Sequence, residues 1–268
     1  MAHRLWRWVA DHWVLVIGLL VLAYLFVPIG VVAAMSFRES GHNAPYTLQN
    51  YHFTLRNWAH PFGAGGIQDA FLLSIGIAAL STVGATILGT LMSFALARHT
   101  FRGRSATNAL IFLPMATPEI VMGSSLLALF VAAGVPLGFW TIVIAHIMFC
   151  LSFVVVTVKA RLAGLDPRLQ EAAMDLYADE RQTFLRVTLP LVMPGIVAAA
   201  LLSFSLSFDD FIVTNFNSGS LVTFPMYIWG AAQRGIPPQI NVIGTAMFAI
   251  SFLLVLAGQL RSLRRRSA

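Results

Sequence analysis

Three carboxylates stand inside or at the margin of long apolar runs: Glu119, Asp209 and Asp210. An ionised carboxylate at the centre of a membrane helix costs roughly 2.5–3.5 kcal/mol on insertion scales, so such a residue faces a polar interior, a partner charge or a pathway. A second group of charges lies in one block, residues 171–196, which read EAAMDLYADERQTFLRVTLPLVMPGI. Its periodicity is helical, and it ends in a proline-bounded entry into the next apolar run. Glu171, Asp175, Asp179 and Glu180 recur at about one-turn spacing, and Ala172 and Ala173 leave a thin helix face that fits a groove. The first group points to handling of charge within a membrane, and the second to docking of something outside it.

The elements that hold these residues follow from composition. The 268 residues are 58% hydrophobic and 10% charged, with a mean hydropathy of +0.78. Soluble domains carry about 25% charge. Several runs of 18 or more apolar residues add to the shortfall, and together they predict an all-α polytopic membrane protein. A β-barrel would show short alternating segments instead. The net charge of +6 does not point to nucleic acid, because the basic residues sit in loops between spans. The single cysteine, Cys150, lies in an apolar run, so no disulfide forms within the chain and a small buried hydrophobe is expected there.

Six spans are predicted. The first, about Trp13 to Met35, is too long for a signal-peptide core and is read as uncleaved. Residues 36–68 form a polar loop with a short helix near Thr54–His60. The second span, about Ala70 to Ala97, carries Gly76, Gly84 and Gly89 among small residues, which suits close packing at the centre of the bundle. The third, about Asn108 to Ala132, contains Pro114, Pro118 and Glu119, and Pro118 predicts a bend or break near mid-depth. The fourth covers about Phe139 to Val158. The fifth, about Leu191 to Val213, ends in Asp209-Asp210. A second polar loop, residues 214–240, precedes the sixth span, about Val242 to Leu260. Of the 17 Lys and Arg, all but Arg38, Arg56 and Arg234 then fall on the side that carries both termini. That side is predicted to be cytoplasmic, together with the charged block.

The charged block resembles the EAA loop of bacterial ABC-importer permeases: E-A-A, three residues, Gly, nine residues, Ile, one residue, Leu-Pro. Here Glu171-Ala172-Ala173 is followed by three residues and Tyr177, then nine residues later by Val187, Thr188 and Leu189-Pro190. The spacing matches throughout. Tyr177 replaces the usual Gly and Val187 the usual Ile. The tyrosine argues against a tight turn at that point and for an aromatic presented to the partner or packed on the spans beneath. Three further strings, residues 118–130 (PEIVMGSSLLALF), 138–162 (GFWTIVIAHIMFCLSFVVVTVKARL) and 202–219 (LSFSLSFDDFIVTNFNSG), look like the spermidine/putrescine permease subunits.

The resemblance implies a type I ABC importer permease fold with six transmembrane helices. Its domains are residues 1–67 (N-terminal end, first span and extracytoplasmic loop), a five-span core at 68–262, and a basic tail at 263–268. It implies ATPase coupling through Glu171, Ala172, Ala173, Asp175 and Tyr177, in a membrane-bound assembly. The partners would be two ATP-binding subunits, a second homologous permease and an extracytoplasmic solute-binding protein. No G-x-x-x-x-G-K-[ST] loop occurs in the chain. ATP and magnesium are therefore expected on a separate chain, with no cofactor, metal or catalytic residue on this one. A polyamine needs carboxylates for its ammonium groups and aromatics for its methylene stem. Glu119, Asp209, Asp210, Phe208, Phe211, Tyr227 and Trp229 are the pathway candidates. His146 is expected to be a hydrogen-bonded structural residue.

Other readings stand beside this one. The same machinery could carry iron or an amino-acid derivative. A passive channel or assembly scaffold would leave the EAA spacing unexplained. An intramembrane enzyme could be drawn with Ser205, His146 and Asp209 as a triad, but no H-E-x-x-H or G-x-S-x-G motif supports it.

Overall fold

The computed structural model describes residues 12–39, 51–166 and 168–266, with side chains to residue 260. The predicted N-terminal residues Arg4 and Arg7 and the last residues of the basic tail lie outside this range. Among the described residues the fold is helical, with one isolated antiparallel bridge between Arg38 and Phe53.

The chain forms two compact units, Met1–Gln68 with Gly230–Ala268, and Asp69–Trp229. In the first unit, α1 (Trp13–Ser36) packs against α12 (Pro238–Arg266), with Phe26 edge-on to Phe248 at 6.2 Å. The turn after α1 is pinned by polar contacts. Asn57, on the short helix α2 (Arg56–Ala59), donates to the carbonyls of Ser36 and Arg38, and Trp58 donates its indole N–H to the Ser36 hydroxyl. The Phe37 ring stacks between Phe53 and Trp58.

The second unit is built around α6 (Phe139–Ala163), of whose apolar window 61% is buried, against 28% for α3 (Ile67–Arg98). This corrects the expectation that the span rich in small residues would be central. The glycines do serve close packing. A Cβ on Gly84 would stand 2.7 Å from Ile147 Cδ1, and one on Gly89 2.6 Å from Val154 Cγ1, while Gly76 faces open space. The core of the unit gathers Ala85, Met122, Phe130, Phe149, Val154 and Val192.

The third predicted span is two helices, α4 (Arg104–Ala116) and α5 (Glu119–Ala132), bent by 108°. The cause is local. Thr117 and Pro118 are extended, with ψ of 131° and 134°. A residue before proline avoids the helical region, and proline has no N–H to continue the ladder. Among the described residues, five helical stretches are long and apolar enough to cross a membrane, and the bent pair makes up to six crossings.

The EAA block folds as α7 (Arg168–Asp175), α8 (Glu180–Thr183) and a π-helical turn (Phe184–Thr188), which runs directly into α9 (Leu189–Phe208). Pro190 would drive its ring into the Arg186 carbonyl of a regular helix. The wider turn, in which Leu189 N–H donates to Phe184 O, relieves that clash. The fifth span stops at Phe208 and not near Val213, and the presumed polar loop after it contains α10 (Ile212–Asn217) and α11 (Phe224–Arg234). Packing overrides the polar sequence here. Val213, Thr214 and Asn217 are buried, and α10 lies against α5 and α6.

Candidate functional site

The acidic region is assembled by the break between α4 and α5 and the break between α9 and α10. Gly123 allows the contact between α5 and α10: a Cβ there would stand 2.9 Å from Phe216 Cδ2 and 3.3 Å from Val213 Cα. Asn217 locks it by donating to Gly123 O and Val213 O. Glu119, the first residue of α5, thereby comes within electrostatic reach of Asp210 and Asp209.

The two aspartates have separate environments. Asp209 closes α9 as its C-cap, and its side chain is exposed. Asp210 is buried and caps α10: its carboxylate accepts from Thr214 N at 2.7 Å, Thr214 Oγ1 at 2.8 Å and Val213 N at 3.4 Å. It also meets His146 Nε2 at 3.3 Å. His146 bonds Ser207 through Nδ1 at 2.7 Å and Thr214 through Nε2 at 3.0 Å, and Ser207 continues to Ser81 at 2.8 Å. One buried network therefore ties α3, α6, α9 and α10. Each side chain in it is hydrogen-bonded within the fold, whereas Glu119 and Asp209 are exposed on this chain.

The enzyme triad drawn from sequence is not formed. His146 pairs with Ser207 and Asp210, in place of Ser205 and Asp209, and both ring nitrogens are engaged in a site 1% exposed. His146 is the hydrogen-bonded structural residue that the sequence suggests.

The aromatics also divide. Phe208 is buried in a cluster with Phe71, Phe204 and Phe224 at 5.8–6.1 Å. Trp229 is exposed and lies 5.3 Å from Phe211, and Tyr227 is half-buried on the same helix, α11. Sequence reasoning missed Ser81, Ser207, Thr214 and Asn217. No local spacing marks them: Asp210 reaches the Val213 and Thr214 amides from one residue before the N-cap Phe211, and Ser81 and Ser207 meet only through the fold.

The EAA block forms a second exposed site. Glu171, Ala172 and Asp175 are exposed and Ala173 is half-buried. Helix α7 ends in a Schellman motif: Ala178 N–H donates to Ala173 O at 3.1 Å and Tyr177 N–H to Met174 O at 2.9 Å. Tyr177 is the left-handed residue of that motif, with φ +63°, the one non-glycine with positive φ among the described residues. The tight turn that glycine would favour is therefore present with a tyrosine in it, at a cost of about 1–2 kcal/mol. Its side chain is 98% exposed, so it does not pack on the spans beneath. Asp179 then caps α8 by accepting from Gln182 N at 2.6 Å.

The block is fastened to the spans on both sides. Phe184 lies edge-on to Phe94 at 5.2 Å, and Arg98 at the end of α3 donates to Thr188 Oγ1 in the π turn. Arg161 near the end of α6 donates to Leu191 O, and Gly195 packs against its stem. The π turn and the start of α9 are thus joined to the ends of α3 and α6.

Comparison with known proteins agrees with this layout. The family model for the binding-protein-dependent transport system inner membrane component matches residues 85–266. The spermidine/putrescine transport system permease protein PotC of Haemophilus influenzae is 39% identical over 241 residues, covering 90% of this chain and 92% of that protein. The putrescine transport system permease protein PotI of Escherichia coli K12 is 36% identical over 249 residues, with 88% and 86% covered. Among solved structures, a bacterial ABC transporter involved in the import of the acidic polysaccharide alginate aligns with a TM-score of 0.66 at 15% identity, over 98% of this chain and 97% of that one. An amino acid ABC transporter aligns with a TM-score of 0.54 at 15% identity, over 75% and 93%.

Proposed function

The chain belongs to the binding-protein-dependent transport system inner membrane components, and from that membership we propose that it is the permease subunit of an ATP-driven importer of polyamines. The observation that carries the cargo is the placing of two exposed carboxylates, Glu119 and Asp209, at helix breaks whose following helices, α5 and α10, pack together. The likeness to PotC and PotI over most of the chain supports the same cargo class. Carboxylates at the breaks hold ammonium groups, and the exposed Trp229 offers apolar contact and cation–π attraction to the methylene stem. Phe208 and Asp210 act behind this surface by holding its shape.

The chain has no phosphate-binding loop of its own. Two ATP-binding subunits carry ATP and magnesium and receive α7, with Glu171, Ala172, Ala173 and Asp175 at the contact. A second homologous permease subunit lies across a pseudo-twofold axis, and a solute-binding protein delivers cargo from outside. Both termini and the EAA block face the cytoplasm, as the uneven distribution of Lys and Arg favours. Residues 68–262 form the transport core. Closure of the ATP-binding subunits shifts α7, and the attached helices alternate the pathway between its two openings.

Uptake by cells or proteoliposomes holding the whole assembly tests this. ATP-dependent accumulation of spermidine or putrescine is expected, and neutralising Glu119 and Asp209 together should remove it. Unchanged polyamine uptake in that double variant would rule out the acid-lined pathway. Accumulation of iron or an amino-acid derivative in place of polyamine would keep the machinery and replace the cargo.

A further inference from the structure

Tyr177 gains nothing visible from the fold that holds it. Its backbone is left-handed, at the position of the Schellman motif where glycine is the unstrained choice. Its side chain is 98% exposed, and its neighbour Leu176 is 81% exposed. On α7, Leu169 and Ala172 share a helical stripe with Leu176, all three exposed, and Glu171 and Asp175 form an acidic stripe beside it. The left-handed turn throws the Tyr177 ring off the end of that helix. A glycine would keep the turn and present nothing.

We propose that Tyr177 is an anchor through which this permease selects its own ATP-binding subunit. The occupant of the surface is that subunit, offering a groove with an apolar floor for Leu169 and Leu176, cations along the rim facing Glu171 and Asp175, and a pocket that takes the Tyr177 ring. A subunit whose groove is filled at that point rejects the ring, so one residue gives both affinity and discrimination. This rests on α7 being the coupling helix.

The test uses the purified permease assembly and its isolated ATP-binding subunit, with binding affinity, ATPase activity in proteoliposomes and thermal unfolding measured together. Y177G and Y177N suit the left-handed turn but remove the ring. They should bind the ATP-binding subunit about tenfold more weakly or worse, while unfolding at the same or a higher temperature. Y177F should retain affinity within about threefold, since the ring carries the contact. Equal or tighter binding by Y177G would overturn the proposal, because strain relief alone predicts that result. Leu176→Glu and Glu171→Ala separate the two levels. If they abolish binding while Y177G does not, only the role of Tyr177 falls. If they too leave binding intact, the reading of α7 falls with it.

Discussion

Replacement of His146 by leucine probes the buried network most directly. The ring is 1% exposed and meets Ser207 at 2.7 Å, Thr214 at 3.0 Å and Asp210 at 3.3 Å. Leucine fills much of the space and makes none of these contacts. The survivors are not orphaned: Ser207 keeps Ser81, and Asp210 keeps the Thr214 amide and hydroxyl. The cost is therefore that of the lost contacts. Interhelical hydrogen bonds in membrane proteins average about 0.6 kcal/mol and reach about 1.7 kcal/mol, the upper figure suiting the contact to a carboxylate. Three contacts then total about 2–3 kcal/mol. For a chain of this size, that lowers the unfolding temperature by roughly 4–12 °C. The assay is thermal unfolding of the purified assembly in detergent, repeated with Asp210→Asn and with the double variant. A coupling of at least about 0.5 kcal/mol between the two sites is expected. A shift below about 2 °C for the single variant, or strictly additive effects, would refute the claim that this network holds α3, α6, α9 and α10 together.

Close packing gives two more predictions. Gly89→Ala places a Cβ 2.6 Å from Val154 Cγ1, so it should destabilise by about 1–3 kcal/mol in thermal unfolding, and Val154→Ala in the same chain should recover part of the loss. Gly219→Ala should also be destabilising by at least about 1 kcal/mol, because φ is +60° and the new Cβ would meet Leu137 O at 2.8 Å. Asp209→Asn and Asp210→Asn should differ in kind. The exposed Asp209 should alter polyamine uptake with little change in unfolding temperature, and the buried Asp210 should lower both, as paired uptake and unfolding measurements will show.

Much of the helical layout was legible in the sequence because bilayer-length apolar runs leave few alternatives. The proline break was legible for the same local reason that produces it, since Thr117 precedes Pro118. Its angle of 108° was not, because it depends on what α5 packs against. Sequence reasoning placed Asp209 and Asp210 together as equals. The end of α9 between them turns one outward and leaves the other to cap α10 from inside, a distinction set by tertiary packing alone. The buried α10 was lost in a stretch read as polar loop, since Thr214 and Asn217 are satisfied by partners far away in sequence or one turn back. At Tyr177 the EAA pattern carries a glycine, the residue that suits a helix-ending turn. The residue type argued against the turn, and the backbone adopts it regardless, which makes the side chain the point of interest.

In the proposed mechanism this chain passes polyamines inward when a separate ATP-binding subunit moves α7. Proteoliposomes holding the permease pair and the ATP-binding subunits, supplied with the solute-binding protein outside and ATP at the cytoplasmic face, test it directly with radiolabelled spermidine. Accumulation above the external concentration is expected; it should require ATP hydrolysis and be lost on Glu171→Ala, with the ATP-binding subunits' own hydrolysis retained. Spermidine entry that proceeds without ATP, or that survives Glu171→Ala unchanged, would contradict it.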